Sequence, residues 1–278
     1  MRPTRIRDFK MKKVNYLVIA ILAISFAFTS CGGGSGGGKG NIVMKAETDE
    51  MSFRMAGSGK VTIDWGDGTR ETHEVGDNSE FKHEYSGRSV RTITIKGKIT
   101  ELICGGRGLT SLDVSKSTAL TKLECGGNQL TSLDVSKSTA LTTLWCGGNQ
   151  LTSLDVSKST ALTKLWCNNN QLTNLDVSKN TALTKLECYY NQLTSLDVSK
   201  NTALTELECG SNQLTSLDVS KNTALKVLNC YYNQLDASAL NNLFGTLPKT
   251  SGEIVVFGNP GERDCDQSIA VSKGWSVR

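Results

Sequence analysis

Seven cysteines recur along this chain of 278 residues with a constant spacing of 21 residues. They are Cys104, Cys125, Cys146, Cys167, Cys188, Cys209 and Cys230. The residues between them barely change, and one unit, residues 120–140, reads LTKLECGGNQLTSLDVSKSTA. A fixed period of this length indicates one supersecondary unit stacked on its own copies. The chain is therefore expected to form an elongated solenoid, because each unit buries its apolar surface only against its neighbours.

Apolar and charged residues alternate over a short stretch of each unit. Leu123 and Cys125 alternate with Lys122 and Glu124, which predicts a strand whose first pair points inward and whose second pair points outward. Asn128 follows this strand and is predicted to point inward, where its amide satisfies backbone groups at the bend.

The full pattern L-x-x-L-x-C-x-x-N-x-L resembles the consensus of leucine-rich repeats, with cysteine at the third apolar strand position. The resemblance covers residues 99–234. It implies an α/β-class solenoid with a parallel β-sheet on the concave face and an irregular convex side. In that family the asparagine forms a hydrogen-bonded ladder along the stack. One unit is not expected to fold alone, since ordering its residues costs more than its own buried side chains return.

The cysteine column has three interpretations: buried thiols, disulfides or a metal site. Neighbouring strands lie roughly 4.8 Å apart, so the cysteines stand side by side with parallel side chains. A disulfide needs Cβ atoms about 3.8 Å apart and a bent geometry, and bridging neighbours would therefore pinch the sheet. The repeats contain no histidine to complete a metal site. We therefore expect buried thiols that pack as small hydrophobes, while Cys265, outside the column, has no evident partner.

The N-terminus has the organisation of an export signal. Two lysines precede an apolar run, residues 16–28, which ends in small residues before Cys31. The run is too short for a comfortable membrane span. Residues 1–30 are therefore predicted to be a signal peptide, whose start is either Met1 or Met11.

The residues before Cys31 resemble the cleavage box of bacterial lipoproteins, in which the cysteine becomes the lipid-carrying N-terminus. Residues 31–40 read CGGGSGGGKG, a glycine-rich tether suited to follow an anchored residue. The alternative is an ordinary secreted protein with an incidental cysteine. The resemblance implies an outer-membrane lipoprotein on the surface of a Gram-negative bacterium, although the sequence leaves open whether the anchor faces outward or into the periplasm.

The charge of the chain does not favour nucleic acid as a partner. The full chain carries 31 Lys and Arg against 27 Asp and Glu, and residues 1–30 hold six of the basic and one of the acidic residues. The rest of the chain keeps 25 basic and 26 acidic residues, a net charge of −1. No basic face for phosphate groups is therefore expected.

Residues 41–98 are predicted to form a small all-β domain that caps the first repeat. Residues 61–69 alternate between apolar and polar and then reach an Asp-Gly turn, which predicts a strand entering a hairpin. The WGDGT motif, the following H-x-Y and a T-I-T-I strand resemble the PKD-type β-sandwich domains of bacterial surface proteins. The resemblance implies a PKD-like fold for this segment.

Four polar residues of this domain are candidates for metal binding. Asp64 and Asp67 can either cap the tight turn or hold calcium, and capping is the preferred interpretation. His73 and His83 are expected to be surface or core residues rather than ligands. No metal is therefore predicted here.

Residues 235–278 are predicted to cap the other end of the stack. Asp236 is the expected N-cap of a short helix that stops at Gly245. A strand is expected over 253–257, followed by the turn 258–261 and a last helix over 265–272.

Positions at which the near-identical repeats differ are the candidates for ligand binding. The outward position from residue 124 to residue 229 reads Glu, Trp, Trp, Glu, Glu, Asn, and two later positions carry pairs of tyrosines. The tryptophans are expected to stack on neighbouring strands, and exposed aromatics on a concave face form a hot-spot pattern. The alternative is that they only cover the sheet. The predicted ligand-binding surface consists of Trp145, Trp166, Lys164, Lys185, Glu187, Tyr189, Tyr190, Glu208, Tyr231 and Tyr232.

Sequence signals of catalysis are absent. The chain has no G-x-S-x-G, H-E-x-x-H or P-loop motif, and both of its histidines lie outside the repeats. Carboxylates on an open sheet have no pocket that would raise their pKa values. The aspartate and lysine columns of the convex side are expected to serve solubility. We therefore expect neither enzymatic activity nor a cofactor or metal.

The repeats as a whole resemble internalin-type proteins with a cysteine ladder, especially surface lipoproteins of Gram-negative anaerobes. The resemblance implies an adhesin-like surface protein that binds a host or neighbouring-cell protein through its concave face. The alternatives are a glycan-capture module of a nutrient-uptake system, with the tryptophans as a sugar platform, and a periplasmic scaffold without an external ligand.

Overall fold

The computed structural model describes residues 40–278. The predicted signal peptide, the predicted lipidation at Cys31 and the tether up to residue 39 lie outside the described residues. The first part is all β and consists of four strands. They are β1 (Gly40–Asp64), β2 (Arg70–Glu74), β3 (Ser79–Ile103) and β4 (Leu109–Asp113).

Six three-residue strands follow, one for each repeat after the first, whose strand is the end of β3. They are β5 (Lys122–Glu124), β6 (Thr143–Trp145), β7 (Lys164–Trp166), β8 (Lys185–Glu187), β9 (Glu206–Glu208) and β10 (Val227–Asn229). The C-terminal part contains α1 (Ala237–Thr246), β11 (Gly252–Val255), α2 (Ser268–Val271) and β12 (Trp275–Val277). All strands belong to one sheet, in which β5 to β12 are parallel and in chain order. The predicted parallel solenoid is therefore confirmed.

The interior of the solenoid repeats with the sequence. In the unit of β5, Leu123 and Cys125 are completely buried, whereas Lys122 and Glu124 are only partly buried, as the alternation predicts. The seven column cysteines are all free thiols without solvent exposure. Burial raises the pKa of Cys167 and of Cys230 to about 12. The column therefore consists of neutral thiols that pack like small apolar groups.

The predicted asparagine ladder is also present. Asn128 donates from Nδ2 to the carbonyl oxygens of Cys104 and Cys125, and its Oδ1 accepts from the backbone of Arg107 and Leu109. One side chain thus satisfies buried backbone groups of two successive repeats, which holds neighbouring units in register.

This ladder extends one unit beyond the last predicted repeat. Asn259 donates to Cys230 and Val256 and accepts from Leu235, although the sequence analysis assigned it only to a turn. Val256 replaces the cysteine of the pattern, so the unit lacks the residue by which the repeats were counted. Asn259 still follows Val256 by three residues, the same spacing as between cysteine and asparagine in the repeats, and this spacing identifies the extra unit in the sequence.

The first part of the chain joins the solenoid through β3. β1 pairs antiparallel with β2, β3 and β4, and the end of β3, Glu101–Ile103, pairs parallel with β5. β3 therefore runs without a break through residue 98, where the sequence analysis places the domain boundary. Buried side chains such as Phe53 and Trp65 form one cluster with the repeat leucines. The all-β part thus covers the first unit of the stack, and the domain limits themselves stay a prediction.

Asp67 of the WGDGT motif and Asp64, which directly precedes the motif, cap the turn. Asp64 Oδ1 accepts from the backbone of Gly66, and Asp67 Oδ1 accepts from that of Thr69. The imidazole of His83 contacts Asp67 Oδ2 at 2.8 Å and, with the Thr69 contact, lowers the pKa of Asp67 to about 2. These carboxylates therefore have protein partners, as expected for turn capping.

The C-terminal helix begins as predicted and ends slightly later. Asp236 accepts from Ala239 and is the N-cap of α1. The helix continues through Gly245, so the predicted stop there is wrong. Leu247 precedes Pro248 and has extended backbone angles, because a residue before proline is disfavoured in the helical region. The helix packs Leu240, Leu243 and Phe244 into the end of the core.

Candidate functional site

The strands of the solenoid present one varied surface to solvent. We define the open face as the first and third residues of β5 to β10 and the two positions that follow each column cysteine. Strand register places the third residues side by side across the sheet. They are Glu124, Trp145, Trp166, Glu187, Glu208 and Asn229. Each follows a buried leucine, so the two-residue period of a strand points it outward.

The two tryptophans of this row do not stack, and the prediction that they stack is wrong. Within residues 40–278, neither indole ring makes a stacked or edge-to-face contact with another aromatic ring. Trp145 lies over the preceding strand, where a Cβ atom on Gly126 would come 2.7 Å from its Nε1. Trp166 Nε1 instead donates to Glu187 Oε1 on the following strand, at 2.7 Å. The rings separate because Gly126 leaves room for one and Glu187 offers an acceptor to the other.

A depression of about 390 Å³ lies between the separated rings. It is lined by Glu124, Trp145, Trp166, Asn168, Glu187 and Tyr189. Three aromatic side chains, two carboxylates and one amide therefore meet at one place. Glu124 and Asn168 were missing from the predicted surface. Asn168 had a signal, because it is the single asparagine in its column of glycines and tyrosines.

A charged network extends from the depression toward β9. Lys185 Nζ lies 3.0 Å from Glu187 and 2.8 Å from Glu206, and the bond to Glu206 is the main reason that the pKa of Lys185 is raised. Burial, followed by the charge of Glu187, raises the pKa of Glu208. Lys164 is exposed and has no ion-pair partner within residues 40–278. The predicted charged residues therefore adjoin the aromatic ones on one face.

The predicted tyrosines form a second cluster near the C-terminal end. Tyr189 and Tyr190 make an edge-to-face contact with centroids 5.7 Å apart, and Tyr231 and Tyr232 repeat this contact at 6.0 Å. Phe257 stacks on Tyr231 with centroids 5.2 Å apart. Phe257 was missed because it lies outside the cysteine pattern. It occupies the same position in its unit as Tyr231, since Val255 pairs with Asn229.

Two of the tyrosines have a backbone conformation that glycine normally supplies. The second position after each column cysteine has a positive φ in every repeat, and the first three repeats carry glycine there. Tyr190 and Tyr232 occupy the same position with φ values of 53° and 46°. This conformation costs a residue with a side chain about 1–2 kcal/mol. Both rings are nevertheless exposed, Tyr190 by 51% and Tyr232 by 47%.

Comparisons with known proteins agree with this architecture. A family model described as leucine-rich repeats in two copies matches residues 118–159 and 139–180. Together with the fold, this shows that the chain contains leucine-rich repeats. No curated protein sequence matches the chain significantly.

Among solved structures, the chain is similar to the functional domain of InlJ from Listeria monocytogenes, which includes a cysteine ladder. The identity is 41%, the TM-score is 0.55, and the match covers 64% of this chain and 38% of that one. The leucine-rich repeat domain of APL1B is 20% identical with a TM-score of 0.51, covering 64% and 61%. A leucine-rich repeat protein of Leptospira interrogans is 24% identical with a TM-score of 0.49, covering 59% and 50%.

The chain thus spans less than two thirds of each of these structures. The fold and the site define a leucine-rich-repeat solenoid with a cysteine ladder, a feature that the similar InlJ domain also includes. Within residues 40–278, no helix has both the length and the apolar character needed to cross a membrane.

Proposed function

We propose that this protein is a non-enzymatic, adhesin-like surface protein that binds a protein partner through its open face. One observation supports this proposal most strongly. Six large apolar side chains are exposed within residues 40–278, and four of them, Trp145, Tyr190, Tyr232 and Phe257, lie on or just after the parallel strands β5 to β12. Exposed aromatic residues gathered on one surface are typical of protein interfaces.

The strained tyrosines argue against a purely structural role for this surface. Glycine at positions 106, 127 and 148 shows that the repeat folds without a side chain there. Tyr190 and Tyr232 add strain and leave their rings half exposed, so they contribute less to stability than residues of the same size inside the stack. Strained, exposed residues of this kind are commonly retained for binding.

The predicted location belongs to the same proposal. A lipid on Cys31, the glycine-rich tether and a PKD-like domain at residues 41–98 would hold the solenoid away from an outer membrane. Protease treatment of intact cells, followed by detection of the repeats, tests this arrangement. Loss of the repeats from intact cells is expected. Protection until the outer membrane is broken would place them in the periplasm and would contradict an adhesin.

A variant of the open face tests binding itself. In the full-length chain, Trp145→Ala combined with Trp166→Ala is expected to lower adhesion of coated beads to cell surfaces by at least about tenfold, since aromatic anchors dominate such interfaces. Val271→Ala, which shortens an exposed apolar side chain on α2, is the matched control. Equal adhesion of the double variant and the native chain, with both folded, would remove the open face as the binding surface.

Glycan capture is a second candidate, because the depression combines an exposed indole with polar groups that can bind sugar hydroxyls. The two functions differ in their dependence on salt and on target chemistry. Binding to a protein is expected to require Lys164, Lys185, Glu187 and Glu208 and to weaken in salt. Binding that resists salt, needs only the tryptophans and survives protease treatment of the target surface would favour a glycan.

A further inference from the structure

We propose that the depression between Trp145 and Trp166 binds an arginine side chain of the protein partner, an inference that rests on the function proposed above. The lining carries two carboxylates, Glu124 and Glu187, and no basic side chain. Aromatic faces and carboxylates together attract a cation. Each carboxylate also contacts a lysine outside the lining, Lys122 or Lys185, so the attraction depends on the aromatic faces as well as on the carboxylates.

Both carboxylates keep one oxygen available. Glu187 Oε1 accepts from Trp166 Nε1 and contacts Lys185 Nζ, and Glu124 Oε1 contacts Lys122 Nζ at 2.9 Å. Within residues 40–278, neither Oε2 atom accepts a hydrogen bond. The existing partners thus hold the two carboxylates in place while leaving an acceptor on each for an incoming donor.

An unpartnered amide is the second, independent observation. Asn168 is only 9% exposed, yet its side chain makes no hydrogen bond to any residue within 40–278. Its Oδ1 lies over the neighbouring repeat, where a Cβ atom on Gly147 would come within 2.6 Å of it. The amide atoms are not among the fully buried side-chain atoms that lack a partner, so they stay accessible to a group that enters the depression. The amide lines the depression and offers a third acceptor there.

Arginine suits this arrangement better than lysine. Its guanidinium is planar, stacks on aromatic faces and carries five N–H donors in a fixed fork. The three acceptors that line the depression with Trp145, Trp166 and Tyr189 can each take one of these donors. An ammonium group is a compact point charge with three donors, and it cannot stack.

Indole resonances in an NMR spectrum provide a direct test. The chain has four tryptophans, of which Trp145 and Trp166 line the depression while Trp65 and Trp275 are buried elsewhere. The probes are a short Gly-Ser peptide with one arginine and the same peptide with citrulline, its neutral isostere. The arginine peptide is expected to shift the Trp145 and Trp166 signals alone, and the citrulline peptide to bind about tenfold more weakly. Equal shifts with citrulline, or no shift with arginine, would overturn the inference.

Two variants and a third peptide complete the test. Glu124→Gln with Glu187→Gln keeps the shape of the depression and is expected to weaken the arginine peptide about tenfold, whereas Glu253→Gln on β11 changes nothing. A lysine peptide that binds as well as arginine would overturn the choice of arginine. If adhesion requires both tryptophans but the arginine peptide does not bind, the proposed function stands and this inference fails.

Discussion

The interior and the open face of this solenoid follow opposite rules. The interior repeats the same leucines, cysteine and asparagine in every unit from that of Cys125 to that of Cys230, and each asparagine connects its unit to the one before. The open face uses the same backbone positions for glycine, asparagine, serine, tryptophan, tyrosine or glutamate. A stack needs identical interiors because each unit packs against copies of itself. Its exposed positions are free of that requirement, so their differences point to binding.

The largest expected effect belongs to the interior. Asn170→Ala removes the bonds from Nδ2 to the Cys146 and Cys167 carbonyls and the bond that Oδ1 accepts from Leu151. The Leu151 N–H then loses its only partner within residues 40–278, while the two carbonyls keep their bonds from Asn149 and Asn191. The free energy of unfolding is expected to fall by about 3 kcal/mol, for one unsatisfied buried donor and two lost hydrogen bonds. Urea denaturation measures the loss.

Asn168→Ala is the matched control for this comparison. Asn168 lies two residues earlier and has no side-chain partner, so its truncation is expected to change stability by less than about 0.5 kcal/mol. A similar loss of unfolding free energy in the two variants would contradict the distinction between an invariant interior and an open face whose residues can be replaced.

A smaller effect separates two adjacent tyrosines. Tyr190→Gly relieves the positive φ but loses the contact with Tyr189, and these opposing contributions of about 1 kcal/mol each leave stability nearly unchanged. Tyr189→Gly loses the same contact without relieving strain and is expected to lower stability by about 2 kcal/mol. Thermal unfolding of both variants checks the difference. A larger loss of stability in Tyr190→Gly than in Tyr189→Gly would show that the positive φ of Tyr190 does not strain the backbone.

The smallest effect concerns the aspartates of the convex side. Asp134, Asp155, Asp176 and Asp197 each accept from the backbone of the serine two residues later, and this bond lowers their pKa values below 3.8. A lowered folded-state pKa stabilises the chain above the unfolded pKa, and this stability is lost as pH falls through the folded value.

Asp155→Asn is therefore expected to cost about 0.5 kcal/mol at neutral pH, a small value because the group is exposed. The cost should vanish as pH falls through the lowered folded-state pKa of Asp155, because the native aspartate is then protonated as well. Urea denaturation at several pH values measures both. An equal cost at pH 7 and at low pH would mean that the charge of Asp155 contributes nothing.

Much of the fold follows from the sequence because the repeat period is a local property. Alternation within each unit predicts that Leu123 and Cys125 point inward and that Asn128 joins a ladder, and identical neighbours extend this prediction along the stack. The ladder unit of Asn259 was missed, because Val256 replaces the cysteine by which the units were recognised.

The sequence by itself determined which side chains leave the interior, since a strand points every second residue outward. Only the tertiary structure decided where those side chains lie. The directions of Trp145 and Trp166 depend on Gly126 and Glu187, which belong to neighbouring repeats. The strain at Tyr190 depends on a loop shape that the stack imposes on every unit. Contacts between neighbouring repeats thus form the depression. The period of the sequence predicts on which side of the strand a residue lies, but it does not predict which side chains of other repeats surround that residue.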